Sequence, residues 1–168
     1  MFDAAGDAGF EEAYRLLFTR AAALAYRLLG DRAAAEDVAA ESLARAYAQW
    51  SKIGALAYRD GWVLRVATNL AIDAARRLPR GVVAQHPVDP SDATVVRMAL
   101  VAALWSLPRR QRQAVALRYL SGLPHDEVAA ALGISASSAG TQLRRGLAGL
   151  RLRLGEGFRE DVHAVERI

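Results

Sequence analysis

The chain has 168 residues, a hydrophobic fraction of 53% and a formal net charge of +4. This length predicts one domain or two small ones, and the hydrophobic fraction excludes a disordered chain. No apolar run approaches about 18 residues, which argues against a membrane span. The chain begins with acidic residues where a secretion signal would be basic, so we expect a cytoplasmic protein.

The composition also excludes several kinds of chemistry. There is no cysteine, and His86, His125 and His163 are too far apart in sequence to form a recognisable ligand motif, so we expect no structural metal. The chain offers neither a glycine-rich phosphate loop nor a plausible nucleophile with its base. We therefore expect no cofactor and no enzymatic activity.

The charges are unevenly distributed. Residues 1–78 carry ten basic and ten acidic side chains, whereas residues 97–154 carry nine arginines against Asp126 and Glu127 alone. A concentration of positive charge on one segment is typical of a phosphate-binding surface. The alternative is a solvated basic face in a chain that is rich in arginine throughout.

Two helices are predicted at the start of the chain. Apolar residues recur at helical spacing over residues 10–29, Gly30 ends that helix, and Asp31 can cap a second one that runs to about Trp50. Three charged residues of the second helix share a face on which nothing forces them inward. This stripe, available to a partner, consists of Asp37, Glu41 and Arg45.

A loop over residues 51–60 and a third helix over residues 61–78 follow. One face of this helix could stack on unpaired bases and hold phosphates. It carries Trp62, Arg65, Asn69, Asp73, Arg76 and Arg77. An equally good interpretation is that Trp62 anchors the core and the arginines lie at the negative end of the helix.

Residues 79–96 are interpreted as a flexible linker, because Pro79 to Thr94 contains three of the five prolines and several turn residues. Sixteen extended residues could span up to about 50 Å. We therefore predict that two helical units reach separate sites on one long ligand.

The segment from Leu107 to Leu150 has the pattern of a helix-turn-helix. A short helix from about Pro124 to Leu132 ends at Gly133, Ile134 can fill the turn, and Ser135 can cap a third helix. Such a third helix is the one that enters a DNA major groove. The alternative is an ordinary helical hairpin in a small bundle.

These elements predict an all-α fold with two small helical domains joined by a flexible linker. The first domain covers residues 1–78, and the second, over residues 97–154, is a four-helix unit with the helix-turn-helix. We expect residues 155–168 to be an acidic C-terminal tail.

Three stretches in this order resemble a bacterial RNA polymerase sigma factor of the two-domain extracytoplasmic-function (ECF) group. They are AEDVAAESLARAYAQW, WVLRVATNLAIDAARR and LWSLPRRQRQAVALRYLSGLPHDEVAAALGIS, within a likeness that covers about residues 10–153. The resemblance implies a protein that binds core RNA polymerase and directs transcription initiation at particular promoters. It leaves open whether an inhibitory anti-sigma factor is a further partner.

The resemblance also implies roles for single residues. Asp37, Glu41 and Arg45 would bind the clamp helices of the polymerase largest subunit, and the second domain would meet the flap of the second-largest subunit. Asn69 would hold a base flipped from the non-template strand of the minus-ten element, supported by Trp62, Arg65, Arg76 and Arg77. The minus-thirty-five element would be contacted by Ser137, Ser138, Thr141, Gln142, Arg144 and Arg145, with Arg109, Arg110 and Arg112 near the DNA backbone.

The chain departs from the family pattern at several positions. Ala40 stands where a glutamine is usual between the two acids of the clamp-binding helix. In the third helix of the second domain, Ala139, Gly140 and Gln142 replace a valine, a lysine and an arginine, and Gly146 falls mid-helix. Each glycine is predicted to cost about 1 kcal/mol of helix stability. We expect weaker or altered minus-thirty-five recognition with the fold retained.

Two other functions fit parts of the pattern. A stand-alone transcriptional regulator would use the helix-turn-helix alone, although no dimerisation helix is evident. A sigma-like adaptor would engage polymerase and hardly read DNA, which the departures at Ala40, Gly140 and Gly146 would favour.

Overall fold

The computed structural model describes residues 4–77 and 92–155, with side chains described for residues 9–77 and 94–155. Throughout these ranges the regular structure is helical, with no strand. The helices are α1 (Ala4–Leu29), α2 (Arg32–Tyr47), α3 (Trp50–Ile53), α4 (Arg59–Arg77), α5 (Asp92–Ser106), α6 (Arg109–Val115), α7 (His125–Leu132) and α8 (Ala136–Leu154), with a π-helical turn at Ala116–Leu120. The all-α prediction is confirmed.

The first unit, α1 to α4, begins with a helical hairpin. Gly30 takes a left-handed conformation with φ of 67°, and the Asp31 carboxylate accepts a hydrogen bond from the Ala34 backbone N–H at 2.9 Å. The predicted stop and cap are therefore both present. The predicted loop over residues 51–60 was partly wrong, because α3 forms a short turn within it and α4 begins at Arg59.

The first unit buries one face of α1 against α2 and α4. Leu17, Ala21, Leu24 and Leu28 are at most 2% exposed, as their spacing predicted. Tyr14, which falls at the same helical spacing, is 40% exposed, and its ring packs against Phe10 and Phe18.

The predicted linker falls mostly on residues 78–91, which lie outside the described residues. Its last part was wrong, because residues 92–96 form the first turns of α5. No proline or glycine occurs between Asp92 and Ser106, so nothing in the sequence stops the helix from beginning there.

The second unit comprises four helices, α5 to α8, with the π-helical turn continuing α6. Gly133 ends α7 in a left-handed conformation, with φ of 65° and ψ of 39°. The Ser135 hydroxyl then caps α8 by accepting from the Ser138 N–H at 3.1 Å. The predicted turn chemistry of the helix-turn-helix is thus present at the predicted residues.

The two units share one hydrophobic core. Its buried members include Leu24, Leu64 and Ile72 from the first unit and Leu104 and Leu117 from the second. The units therefore pack directly on each other, with α4 between them, which the expected separation by an extended linker did not anticipate.

A membrane-crossing helix would need a long apolar stretch. No helix among residues 4–77 and 92–155 is long and apolar enough to cross a membrane.

Candidate nucleic-acid interface

The predicted partner-binding stripe lies on the solvent side of α2. The opposite side of this helix is buried through Val38, Ala39 and Leu43, which leaves Asp37, Glu41 and Arg45 exposed. Glu41 and Arg45 form an i,i+4 ion pair at 2.8 Å, so two of the three stripe residues pair with each other. An exposed pair of this kind contributes only about 0.3–0.5 kcal/mol, so both side chains remain available to a partner.

The proposed base-reading residue of α4 contacts the second unit. Gln113, a buried residue of α6, donates from Nε2 to Oδ1 of Asn69 at 2.9 Å. Such a bond contributes about 0.5–1.5 kcal/mol net, and more is lost if a buried partner is left unsatisfied. The amide that could hold a base is therefore engaged within the protein.

Trp105 of α5 makes a second link to α4. Its indole N–H donates to the Ile72 carbonyl at 3.0 Å, and the Arg76 guanidinium lies 4.6 Å from the ring centroid. Arg112 of α6 lies 4.2 Å from the same ring. Two arginines, one from each unit, thus stack on one tryptophan through cation–π contacts.

A crevice of about 370 Å³ separates the units beside this tryptophan. It is lined by Asn69, Ile72, Asp73, Trp105, Arg109 and Arg112. Burial, followed by repulsion from Arg109 and Arg76, lowers the pKa of Arg112, while Asp73 opposes the shift. Burial, followed by Arg109, likewise lowers the pKa of Arg65. The crevice therefore gathers positive charge that could hold phosphates.

Trp62, near the start of α4, lies between an apolar cluster of the first unit and a crevice shared with the second unit. It is half-buried against an apolar cluster that includes Trp50 and Val63, and it lines a crevice of about 300 Å³ with Ala131 and Gly133 of the second unit. Both interpretations of Trp62 thus have structural support, since the ring packs on one side and faces a crevice on the other.

Glycine 61, next to Trp62, allows the units to come close. A Cβ added at Gly61 would lie 2.8 Å from the Ala131 Cβ, with the Glu127 carbonyl and Leu123 next at 3.6 Å. All three neighbours belong to the second unit, so any larger side chain at Gly61 would push the units apart.

The helix α8 presents a separate polar face. Ser137, Ser138, Arg144 and Arg145 are exposed, whereas Thr141 and Gln142 are half-buried. His125 holds the start of this helix through a 2.8 Å contact between its Nε2 and the Ala136 carbonyl. The residues predicted to contact the minus-thirty-five element from this helix therefore lie on α8, four of them exposed and two half-buried.

The glycines of α8 have different roles. A Cβ at Gly146 would lie 2.6 Å from Val115 Cγ2 and 3.3 Å from the Gln111 carbonyl, so this glycine is required where α8 crosses α6 closely. A Cβ at Gly140 would meet the His125 ring at 3.4 Å. The predicted cost of Gly146 to the helix is thus offset by close packing, and Ala139 is fully buried in place of a larger anchor.

The structure does not bring all predicted minus-thirty-five residues together. Arg109 and Arg112 line the crevice beside Asn69, and Arg110 donates to the Leu132 carbonyl at 3.4 Å. Arg77, predicted for the minus-ten element, is exposed at the end of α4.

Gln113 and Trp105, which both contact α4, were not among the residues predicted from sequence. A lone buried glutamine and a tryptophan in an apolar helix form no recognisable binding pattern.

No group of three or more His, Asp or Glu side chains within the described part of the chain could hold a metal ion.

Comparison with known families accounts for both units. Residues 13–80 match the family description "Sigma-70 region 2", and residues 97–150 match "Sigma-70, region 4". The chain is 36% identical to the RNA polymerase sigma-E factor of Streptomyces coelicolor, over 94% of this chain and 92% of that protein. The chain belongs to the ECF sigma factors. It therefore acts with core RNA polymerase in promoter-specific transcription initiation.

Other relatives agree with this assignment. The ECF sigma factor SigE of Mycolicibacterium smegmatis is 32% identical over 90% of this chain, which spans 65% of that longer protein. SigW of Bacillus subtilis is 29% identical over 78% of this chain and 81% of its own length.

Solved structures show the same fold. The sigma factor RpoE of Bartonella quintana, crystallised with the anti-sigma factor NepR, superposes with a TM-score of 0.55 at 23% identity, covering 86% of this chain and 96% of RpoE. CnrH, solved with the cytosolic domain of CnrY, gives a TM-score of 0.59 at 20% identity over 86% of each chain.

Proposed function

We propose that this sigma factor uses three separate surfaces: α2 binds polymerase, α4 reads and opens the minus-ten element, and α8 reads the minus-thirty-five element. The observation that carries this proposal is that both matched regions fold in sequence order and each displays a polar helix face. Residues 1–78 would form the minus-ten unit and residues 97–154 the minus-thirty-five unit.

The polymerase surface is the exposed side of α2. Asp37 and Glu41 project from a helix whose other side is fixed in the core, so they are held in place for a basic or polar partner surface. The clamp helices of the largest subunit would be that partner. Ala40 between them is exposed and supplies no hydrogen bond, so the acids and Arg45 would carry the polar contacts.

The minus-ten reader would be α4. Asn69 offers an amide that can pair with an extruded base, and Trp62, Arg65, Arg76 and Arg77 surround it with an aromatic ring and cations. Extruding a base costs a few kcal/mol, which binding to polymerase and duplex would supply. No covalent step is needed, so we infer no enzymatic role for this chain.

The minus-thirty-five reader would be α8. Arg144 and Arg145 can bind guanine or phosphate and Gln142 can pair with adenine, while Ser137, Ser138 and Thr141 discriminate bases less strongly. Arg109, Arg110 and Arg112 of α6 would hold the DNA backbone. The same unit would contact the flap of the second-largest polymerase subunit.

Location and further partners follow from these roles. Because core polymerase and the bacterial chromosome share the cytoplasm, we place the protein there. The structural neighbours were solved with anti-sigma factors or a fragment of a partner, which supports an anti-sigma factor as an additional partner of this chain.

In vitro transcription tests the proposal as a whole. Core RNA polymerase of the same bacterium is incubated with the full chain and genomic DNA fragments, and the transcript ends are mapped. We expect discrete start sites that are absent with core polymerase alone. A lack of discrete starts at every salt concentration would overturn the proposed promoter-directing role.

Two substitutions separate the surfaces. Asn69→Ala should reduce open-complex formation by about tenfold or more and leave core binding unchanged, because the Asn69 amide would pair with a base only after the DNA strands have separated. Permanganate reactivity of unpaired thymines measures open-complex formation.

Asp37→Arg should weaken core binding, measured by fluorescence anisotropy. Glu12→Arg, an exposed acid on α1, is the matched control for the charge change.

A further inference from the structure

Gly140 interrupts the polar face of α8. Ser137, Gly140 and Arg144 are spaced by three and four positions, so they lie on one side of the helix. Ser137 and Arg144 are exposed, whereas the glycine between them offers no side chain. The face that is proposed to bind duplex DNA therefore lacks a contact group in its middle.

The imidazole of His125, the first residue of α7, lies beside this glycine. A Cβ added at Gly140 would lie 3.4 Å from Cε1 and 3.7 Å from Nε2 of the His125 ring. His125 is itself exposed to solvent. A side chain from α7 thus lies in the space that a side chain at position 140 of α8 would enter.

A hydrogen bond fixes this ring against α8. Nε2 of His125 lies 2.8 Å from the Ala136 carbonyl oxygen. A carbonyl oxygen can only accept, so Nε2 carries the hydrogen and donates it. Nδ1 makes no hydrogen bond to any residue within the described ranges 4–77 and 92–155. It is therefore the ring nitrogen that is available to a ligand.

We infer that His125 replaces the side chain that Gly140 lacks, and that its imidazolium donates from Nδ1 to a phosphate of duplex DNA bound at α8. This inference rests on the proposed role of α8. In the neutral ring with hydrogen on Nε2, Nδ1 can only accept a hydrogen bond. A proton taken up from solvent converts Nδ1 into a donor and adds a positive charge, while Nε2 keeps its bond to Ala136. A phosphate close to the ring favours this protonated form.

The charged groups around α7 are mostly cations. Asp126 and Glu127 follow His125 on α7 itself, and Asp60 of α4 is paired with Arg20 at 2.7 Å. The helix α8 has no acidic residue between Ala136 and Leu154. The cations on the elements packed against α7 are Arg65 of α4, Arg110 of α6, Arg118 of the π-helical turn, and Arg144 and Arg145 of α8. This excess of positive charge favours the approach of a phosphate.

The first experiment measures whether positions 125 and 140 act together. Full-length variants are titrated against a fluorescent 30-base-pair duplex of random sequence at pH 6 and several salt concentrations. His125→Ala should weaken binding by about threefold to tenfold and reduce the slope of log affinity against log salt by about one. In a Gly140→Lys background the lysine supplies the cation, so His125→Ala should cost less than about twofold.

Ala148→Lys is the matched control for the added charge. Ala148 is exposed on α8 eight positions beyond Gly140, so a lysine there adds the same charge away from His125. In that background His125→Ala should still weaken duplex binding by about threefold to tenfold. An equal cost of His125→Ala in the two lysine backgrounds would overturn the replacement of the missing side chain by His125.

The second experiment separates the charge of the ring from its packing. His125→Gln keeps an N–H donor as many bonds from the backbone as Nε2, so thermal stability should be retained, but the amide takes up no proton. Between pH 8 and pH 6 the parent protein should gain at least about threefold more duplex affinity than the His125→Gln protein, because an imidazole is protonated over this range. The same gain in both proteins would overturn the phosphate contact.

Arg144→Ala distinguishes failure of this inference from failure of the proposed function. If Arg144→Ala reduces the salt slope while the His125 variants bind like the parent, α8 binds duplex DNA and only the role of His125 is overturned. If neither Arg144→Ala nor His125→Ala changes the affinity or the salt slope, α8 is not a duplex-binding surface, and the proposed role of α8 is overturned as well.

Discussion

The two helices proposed to read DNA, α4 and α8, differ in their surroundings. The Asn69 side of α4 packs against α5, α6 and α7, whereas the Arg144 side of α8 faces solvent. Both helices are polar on one side and would look equivalent in sequence. The difference shows that a polar helix face can be an internal contact or an exposed surface, depending on what the rest of the chain places opposite it.

The largest expected effect comes from breaking the core that joins the two regions. Leu104 is 1% exposed in that core, and Leu104→Ala should lower the free energy of unfolding by about 2–5 kcal/mol. Because the core is continuous, chemical denaturation should show one transition for both units. Leu152→Ala, at a residue 87% exposed on α8, should change the free energy by less than about 0.5 kcal/mol. Two separate transitions in the parent protein would contradict the shared core.

Alanine substitution should disturb the packing of α8 at Gly146 and leave it intact at Gly140. Gly146→Ala gains about 1 kcal/mol of helix propensity but forces a methyl group onto Val115 at a cost of about 1–3 kcal/mol, so we expect a net loss of stability. Gly140→Ala meets only the edge of His125 and should be neutral or stabilising. Thermal unfolding of both variants measures the two changes in stability. A Gly146→Ala protein that is more stable than the parent would contradict the prediction.

A smaller effect is expected at the start of α8. Ser135→Ala removes the hydroxyl that accepts from the Ser138 N–H and should cost about 1 kcal/mol, measured by urea denaturation. Ser137→Ala, two residues further along the same exposed turn, serves as the control and should stay within about 0.5 kcal/mol of the parent. Equal losses in the two variants would mean that the cap does not stabilise α8.

The smallest effect on stability and the clearest effect on binding should come from the open surface. Arg144→Ala should leave unfolding unchanged and reduce the slope of log affinity against log salt for duplex DNA by about one. Arg153→Ala, an exposed arginine at the far end of α8, should leave the slope unchanged. A salt slope that is unaffected by Arg144→Ala would remove this residue from the proposed duplex surface.

Much of the fold could be predicted because the signals were local. The Asp31 cap, the left-handed Gly133 and the Ser135 cap depend on a few neighbouring residues, and all three are present. The exposed stripe on α2 followed from periodicity alone. These features need no knowledge of what packs on the rest of the chain.

The contact between the units could not be predicted for the opposite reason. The composition of residues 79–94 bounds how far two units can move apart, but it does not say whether they touch. Gln113 and Gly61 gain their roles only from Asn69 and Ala131, which are 44 and 70 positions away in the chain. The residue-level assignments of the DNA and polymerase surfaces remain predictions for the experiments above.

The π-helical turn at Ala116–Leu120 has a consequence for how the molecule is aimed. A π turn holds about one more residue than an α turn, and here it lies between the helix that contacts Asn69 and the helix-turn-helix. Deleting one residue in this turn would leave an ordinary helix but rotate everything beyond it by about 100° around the α6 axis. A single extra residue therefore sets the direction in which α7 and α8 leave α6 within the second unit.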